Sequence, residues 1–170
     1  MGVDIVCFIE VSASTAQNTA TFESYAELSL PRQRDLFEAM GYDNNGLYPP
    51  RGLPSNCGSG VTCSYGIEVC DPEDEEKWRG SQYASRSDAE AWVNSGKASY
   101  IGNGPWLRGT VSNPDAYRPS WLTSAEYANA VACTESEMHP INPEYYALLA
   151  VLNALEQHYS QVRIVFWFDV

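Results

Sequence analysis

Positive charge is scarce in this chain of 170 residues, which has 10 basic side chains against 22 acidic ones and a formal net charge of −12. Binding to duplex nucleic acid or to an anionic membrane surface requires a basic footprint, so this balance argues against both partners. Two of the ten basic residues are lysine and eight are arginine. The planar guanidinium group of arginine can donate two parallel hydrogen bonds to a carboxylate or a phosphate, so the arginines are the first candidates for ligand contact.

Several common signatures are also missing. The opening residues lack a secretory leader, and no apolar run approaches the roughly 20 residues of a membrane helix. The sequence contains no Gly-Lys-Ser phosphate loop, Gly-x-Gly-x-x-Gly turn or Gly-x-Ser-x-Gly elbow. The motifs on which the common nucleotide hydrolases and esterases depend are therefore absent. The series Cys57-x5-Cys63-x6-Cys70 does not have zinc-knuckle spacing. We therefore predict a reduced, cytoplasmic protein without metal or cofactor.

Nucleophilic catalysis has little support, because the chain offers only two histidines as bases. His158 falls near the end of a predicted helix, where an imidazolium complements the helix dipole. His139 precedes a proline in a loop and is the better candidate for a site. On balance the sequence favours a binding protein over an enzyme.

What is abundant predicts a well-packed fold. Hydrophobic residues make up 44% of the chain and aromatic residues 12%. A chain of this length buries roughly 70% of its unfolded surface, so we predict a single domain over residues 1–170. Residues 3–11 alternate as a strand, and residues 24–29 are predicted to return as a hairpin. Residues 162–168 are apolar on both faces, which is typical of a central strand.

Helix signals follow in the second half. Ser87-x-x-Glu90 predicts a helix start closed by Gly96, and Thr123-x-x-Glu126 predicts another that runs to about Cys133. Asn142 before Pro143 predicts a helix to about His158. Residues 42–83 are rich in turn residues. The predicted class is α+β, with a single mixed sheet that contains both terminal strands, covering helices, and a long irregular region in the middle.

One arginine stands in an apolar strand. Arg163 is the only charge between residues 162 and 168, so it must find a partner or a ligand. An internal pair with Asp35, Glu10 or Asp4 is one interpretation, and ligand binding is the other. Arginines and aromatic rings together suit a small nucleotide, because guanidinium grips phosphate while a ring stacks on the base. The predicted ligand-binding residues are Arg34, Arg51, Arg163, Tyr48, Trp106, Trp121 and Ser120.

Several short blocks carry a family resemblance along the chain. They are Met1-Gly2-x-Asp4-Ile5 with Phe8-x-Glu10-Val11, Arg34-Asp35-Leu36-Phe37, Pro50-Arg51-Gly52-Leu53-Pro54, Ser120-Trp121-Leu122-Thr123 and Val162-Arg163-Ile164-Val165-Phe166-Trp167-Phe168-Asp169. In this order the blocks resemble a family of uncharacterised proteins of tailed bacteriophages and prophages. The resemblance implies a phage protein in the host bacterial cytoplasm. One departure is that this chain has Tyr117-Arg118-Pro119 where family members carry histidines, so any chemistry of those histidines does not transfer to it.

Three functions remain open on the sequence. The first is a phage counter-defence protein that sequesters a nucleotide-derived immune signal, such as a cyclic ADP-ribose isomer or a cyclic oligonucleotide, without catalysis and as a homo-oligomer. The second is a hydrolase of such a signal, acting through Asp or Glu with His139. The third is an interaction protein that blocks a host factor.

Overall fold

The computed structural model describes residues 3–15, 20–70, 83–101, 109–136 and 140–169. The strands are β1 (Asp4–Ser12), β2 (Glu23–Ser29), β3 (Gly66–Cys70), β4 (Tyr83–Ser85), β5 (Thr110–Ser112), β6 (Ala116–Thr123) and β7 (Gln161–Asp169). The helices are α1 (Arg34–Phe37, continued by a π-helical turn over Glu38–Tyr42), α2 (Ser59–Tyr65), α3 (Arg86–Asn94), α4 (Ser124–Thr134) and α5 (Pro143–Leu155). The predicted α+β class is confirmed.

The chain divides into two compact units, the first formed by Met1–Val61 with Tyr117–Val170 and the second by Thr62–Ala116. Each unit has its own sheet, four-stranded in the first and three-stranded in the second. The predicted single sheet is therefore wrong. The strands of the second sheet have only three to five residues, too few to show a hydrophobic period in the sequence. That the whole chain is one domain stays a prediction.

In the first unit the strand order is β2-β1-β7-β6, so the two strands nearest the chain ends are the inner strands. β1 pairs antiparallel with both β2 and β7. This confirms the predicted hairpin and the central position of the apolar strand near the end of the chain. Asp4 lies opposite Asp169 in this pairing.

Alternation along the two inner strands directs one set of side chains toward the helices. Ile9 lies opposite Ile164, and both belong to a core shared with α1, α4 and α5. The Tyr127 hydroxyl donates to the carbonyl of Tyr145 at 2.9 Å, so this buried phenol is satisfied. Other fully buried members of the core are Leu36, Met40, Leu122, Leu152, Phe166 and Phe168.

Two predicted helix starts are confirmed. Thr123 and Glu126 form a reciprocal capping box at the start of α4. α5 begins at Pro143, whose fixed φ suits a first turn. This helix ends at Leu155, short of the predicted His158.

The second unit packs α3 on one face of its small sheet. β3 pairs parallel with β4 and antiparallel with β5. Ile67 and Val111 meet Ala89 of α3 in a separate small core. α3 starts two residues earlier than predicted, because Ser85 and not Ser87 caps it by accepting from the Asp88 N–H at 3.0 Å.

The middle of the chain is only partly irregular. Residues 43–58 contain no helix or strand, whereas residues 59–70 form α2 and β3, and residues 71–82 lie outside the described ranges. Gly41, within the π-helical turn that precedes this stretch, has φ 106°, and a Cβ there would lie 2.6 Å from the carbonyl oxygen of Tyr48. This position therefore requires glycine.

Candidate functional site

A buried ion pair joins the two inner strands of the first unit. Glu10 and Arg163 are register partners, on the sheet face opposite Ile9 and Ile164. Nε and Nη2 of Arg163 donate to Oε2 of Glu10 at 2.8 and 2.6 Å, and the side chains are 7% and 0% exposed. Of the two sequence interpretations, the structure therefore shows the internal pair.

The same pair holds the irregular segment against the sheet. Nη1 of Arg163 donates to Oδ1 of Asn56 at 3.1 Å, and Nη2 donates to the Asn56 carbonyl at 3.3 Å. The Gly58 N–H donates to Oε1 of Glu10 at 2.6 Å. Each polar group of the pair thus has a partner, as a buried charge requires. The ion pair therefore links the irregular segment around Asn56 and Gly58 to the sheet.

Arg51 forms a bidentate ion pair at the edge of β6. Its Nη1 and Nη2 donate to the two carboxylate oxygens of Glu126 at 2.9 and 2.5 Å. The hydrogen bonds from Arg51, together with those from Thr123, lower the pKa of Glu126 from 4.5 to about 2. The backbone N–H of Arg51 donates to Oγ of Ser120 at 3.1 Å, and that of Gly52 donates to the carbonyl of Pro119 at 3.0 Å.

Both arginines stack with aromatic rings in an alternating series. The Arg163 guanidinium carbon lies 3.5 Å from the ring centroid of Phe22 and 5.9 Å from that of Trp121. Arg51 lies over Trp121 at 4.8 Å and over Tyr48 at 5.9 Å. We call these five residues the guanidinium–aromatic stack. Its contacts join β6, β7 and the segment from residue 48 to residue 51.

The predicted ligand-binding set is therefore partly brought together. Arg51, Arg163, Tyr48, Trp121 and Ser120 meet around the stack. Arg34 does not join them: it is an exposed residue of α1 whose Nε donates to Glu38 at 2.9 Å. Trp106 lies outside the described residues, and so does His139 of the hydrolase hypothesis. The three predicted arginines each bind a carboxylate of the chain, and ligand binding by this set stays a prediction.

Arg118 differs from these arginines and was missed as a candidate. Among the described residues its only hydrogen bond runs from Nη2 to Oδ1 of Asn44 at 2.7 Å, and no described carboxylate pairs with it. Its Nη1 is buried and has no acceptor among them. A buried guanidinium N–H without an acceptor costs about 1–3 kcal/mol or more.

The backbone at Arg118 is also unfavourable. It is the one non-glycine residue with positive φ in the described part of the chain, at 52°. Holding a side chain that is not glycine in this region costs about 1–3 kcal/mol. Such a residue persists only where its surroundings impose it, and outliers of this kind concentrate at ligand and active sites. Two independent costs therefore coincide at one residue.

Aromatic rings anchor Arg118 to the core. Its guanidinium carbon lies 5.1 Å from the ring centroid of Tyr117, which contacts Tyr42 edge-on at 5.6 Å. Tyr42 in turn contacts buried Phe168 at 5.1 Å. Tyr117 remains 39% exposed, so part of it stays available to a ligand. We call Asn44, Tyr117 and Arg118 the Arg118 site.

Cysteine chemistry finds little support. All five cysteines lie in the described ranges, and all are free thiols. Burial raises the pKa of Cys7 to about 12 and is the largest cause that raises the pKa of Cys57 to about 12. Neither thiol is therefore a nucleophile at neutral pH. Within the described ranges no group of three His, Cys, Asp or Glu residues is arranged to hold a metal ion.

Two cavities lie away from the predicted set. One, of about 540 Å³, lies in the second unit and includes Glu68 and Tyr83 in its lining. The other, of about 370 Å³, lies between β1 and β2 beside Val6 and Glu27. Among the described residues, neither lining includes a predicted ligand-binding residue.

No helix in the described residues has the length and apolarity needed to span a bilayer. The chain was also compared with protein-family models, curated proteins and solved structures, and none of them matches it.

Proposed function

We propose that the protein is a phage counter-defence protein that sequesters a nucleotide-derived immune signal in the cytoplasm of the host bacterium, without converting it. The ligand class is a cyclic ADP-ribose isomer or a cyclic oligonucleotide, which combines phosphate groups with aromatic bases. The observation that carries the proposal is Arg118. Its guanidinium pairs with no carboxylate among the described residues, its backbone has an unfavourable positive φ, and its buried Nη1 has no acceptor among them.

The Arg118 site matches the chemistry of such a ligand. A phosphate offers several oxygen acceptors to a guanidinium that has one hydrogen-bond acceptor among the described residues, the Asn44 amide oxygen. The exposed Tyr117 ring beside it suits stacking on a base. The Arg118 site therefore offers the two kinds of contact that such a ligand requires, a guanidinium for phosphate and a ring for the base.

The net charge of −12 opposes an anionic ligand. Salt screens exposed charges beyond about 10 Å, so a local arginine outweighs distant acids. The arginines in the guanidinium–aromatic stack contribute less to such binding, because a ligand would first have to displace Glu10 or Glu126 from them.

Binding and hydrolysis are separated by one experiment. The wild-type protein is titrated in a calorimeter with cyclic ADP-ribose isomers and cyclic oligonucleotides, and the mixtures are then denatured and chromatographed. We expect heat with at least one compound and its recovery intact. Recovery of a cleaved product supports the hydrolase hypothesis, and the absence of heat with every compound refutes binding of this class. A light-scattering mass measured with and without ligand tests the proposed homo-oligomer.

The site itself is tested with charge-matched variants. Arg118→Gln should reduce the affinity about tenfold or more, since a charge-assisted hydrogen bond contributes about 1.5–3 kcal/mol. Arg32→Gln removes the same charge from an exposed pair with Asp4 and should leave the affinity nearly unchanged. Equal losses in both variants would show a general charge effect. A loss confined to Arg51→Gln would move the site to the guanidinium–aromatic stack.

A further inference from the structure

The larger cavity is lined by residues on one face of the second unit's sheet. Tyr83, Glu68 and Thr110 are register partners across β4, β3 and β5, so their side chains form a row on one face. α3 packs against the opposite face, where Ile67 joins the small core. All three side chains of the row line the cavity of about 540 Å³.

A glycine shapes the floor of this cavity. A Cβ at Gly66 would lie 2.9 Å from both Cγ2 of Thr110 and the carbonyl oxygen of Thr62. Any side chain there would collide with these atoms, and it would also enter the space beside Glu68. The hollow is therefore built into the packing of β3 against its neighbours.

The charge of the lining has one sign. Among the described residues that line it, Glu68 is the only ionisable group apart from the weak acids Tyr83 and Cys63, and none is an arginine or a lysine. Among the described residues the Glu68 carboxylate has neither a hydrogen-bond donor nor a cation beside it. Tyr83 next to it is 37% exposed. A lone carboxylate beside an accessible aromatic ring is the pair of groups that recognises an organic ammonium ion, by charge and by cation–π attraction.

We propose that this cavity, which we call the Glu68 cavity, binds an organic cation of the quaternary ammonium class. Glu68 supplies the charge, Tyr83 contributes its ring face, and the hydroxyl of Thr110 accepts or donates a hydrogen bond. The overall charge of −12 raises the local concentration of cations and so supports the same ligand class. This site is independent of the Arg118 site, since its residues and its charge preference differ.

The test is an NMR titration of the full chain with choline, with its uncharged isostere 3,3-dimethyl-1-butanol and with glucose. We expect choline to shift the backbone amides of Gly66, Glu68 and Thr110, and the uncharged isostere to bind about two- to fivefold more weakly, as for an exposed charge interaction. The choline affinity should fall with added salt. Absence of shifts with choline, equal binding of the isostere, or binding of glucose in its place would overturn the proposal.

Matched variants locate the effect. Glu68→Gln should weaken choline binding about two- to fivefold, whereas Glu90→Gln, which removes the same charge from an exposed position of α3, should not. Tyr83→Leu should weaken it about threefold, and Tyr25→Leu, at a ring 54% exposed in the first unit, should not. If the Glu68 and Glu90 variants lose equal affinity, choline responds only to net charge and the cavity is not its site.

Discussion

Replacing Arg163 with methionine removes the cation of the buried pair and keeps an apolar stem of similar length. Glu10 is then left without its two guanidinium donors, at 2.8 and 2.6 Å, in a position where its side chain is 0% exposed. Asn56 loses two donors at the same time. Removing one partner of a buried pair costs about 3–5 kcal/mol, because the other charge stays buried and uncompensated.

That loss is a large fraction of a typical stability of about 5–15 kcal/mol. With a urea m-value of about 2 kcal/mol per molar, the Arg163→Met variant should unfold at a midpoint about 1.5–2.5 M lower. Tryptophan fluorescence and far-UV circular dichroism during urea unfolding measure this directly. Arg34→Met is the control, since an exposed i,i+4 pair contributes only about 0.3–0.5 kcal/mol.

A double-mutant cycle isolates the pair. Glu10→Gln together with Arg163→Met keeps an acceptor for the Gly58 N–H and removes the uncompensated charge. The double variant should therefore be more stable than Arg163→Met alone. A loss below about 1 kcal/mol in the single variant, or no recovery in the double variant, would refute the reasoning that this pair fastens the segment to the sheet.

Two further predictions concern the first unit. The folded-state pKa of Glu126 is lowered to about 2 from 4.5 by its hydrogen bonds with Arg51, so its contribution to the free energy of unfolding is full above pH 4.5 and is lost as the pH falls toward 2. This contribution is at most about 3 kcal/mol, and solvent screening reduces it to about 1–2 kcal/mol. In urea titrations, the stability difference between wild type and Glu126→Gln should therefore disappear near pH 2. A difference that stays constant with pH would contradict this prediction. Gly41→Ala should lower the free energy of unfolding by about 2–4 kcal/mol, because its Cβ would meet the Tyr48 carbonyl. Gly96→Ala, with positive φ but open space around it, should lose about 1 kcal/mol, and equal losses in the two variants would show that the contact is not responsible.

Much of the first unit could be predicted from local patterns. The alternation in residues 3–11 and the doubly apolar run 162–168 predicted the two inner strands. Thr123 with Glu126 predicted a helix start because a capping box is a contact between residues three apart. Such signals are short-range, and each has one dominant physical cause.

The site was harder to predict because its decisive features are long-range or conformational. Three acids were named from the sequence as possible partners of Arg163, but only the register of β1 with β7 selects Glu10. The positive φ of Arg118 has no sequence signal, since glycine and asparagine are the residues that normally occupy that region. The family resemblance singled out Tyr117-Arg118-Pro119 only because family members carry histidines at this place. It did not indicate Arg118 itself as a candidate for ligand contact.

The central claim is that Arg118 serves ligand binding at the expense of stability, and Arg118→Gly tests it when binding and unfolding are measured on the same protein. Glycine relieves the strained φ and removes the unsatisfied Nη1, and each change stabilises the folded chain by about 1–3 kcal/mol. Two effects oppose this gain: the hydrogen bond to Asn44 is lost, and glycine adds about 1 kcal/mol of conformational entropy to the unfolded chain. We predict an unfolding free energy that is unchanged or about 1 kcal/mol higher, together with an affinity for the nucleotide ligand that falls about tenfold or more. A variant that loses more than about 2 kcal/mol of stability and keeps its affinity would contradict the claim, because Arg118 would then be a structural residue.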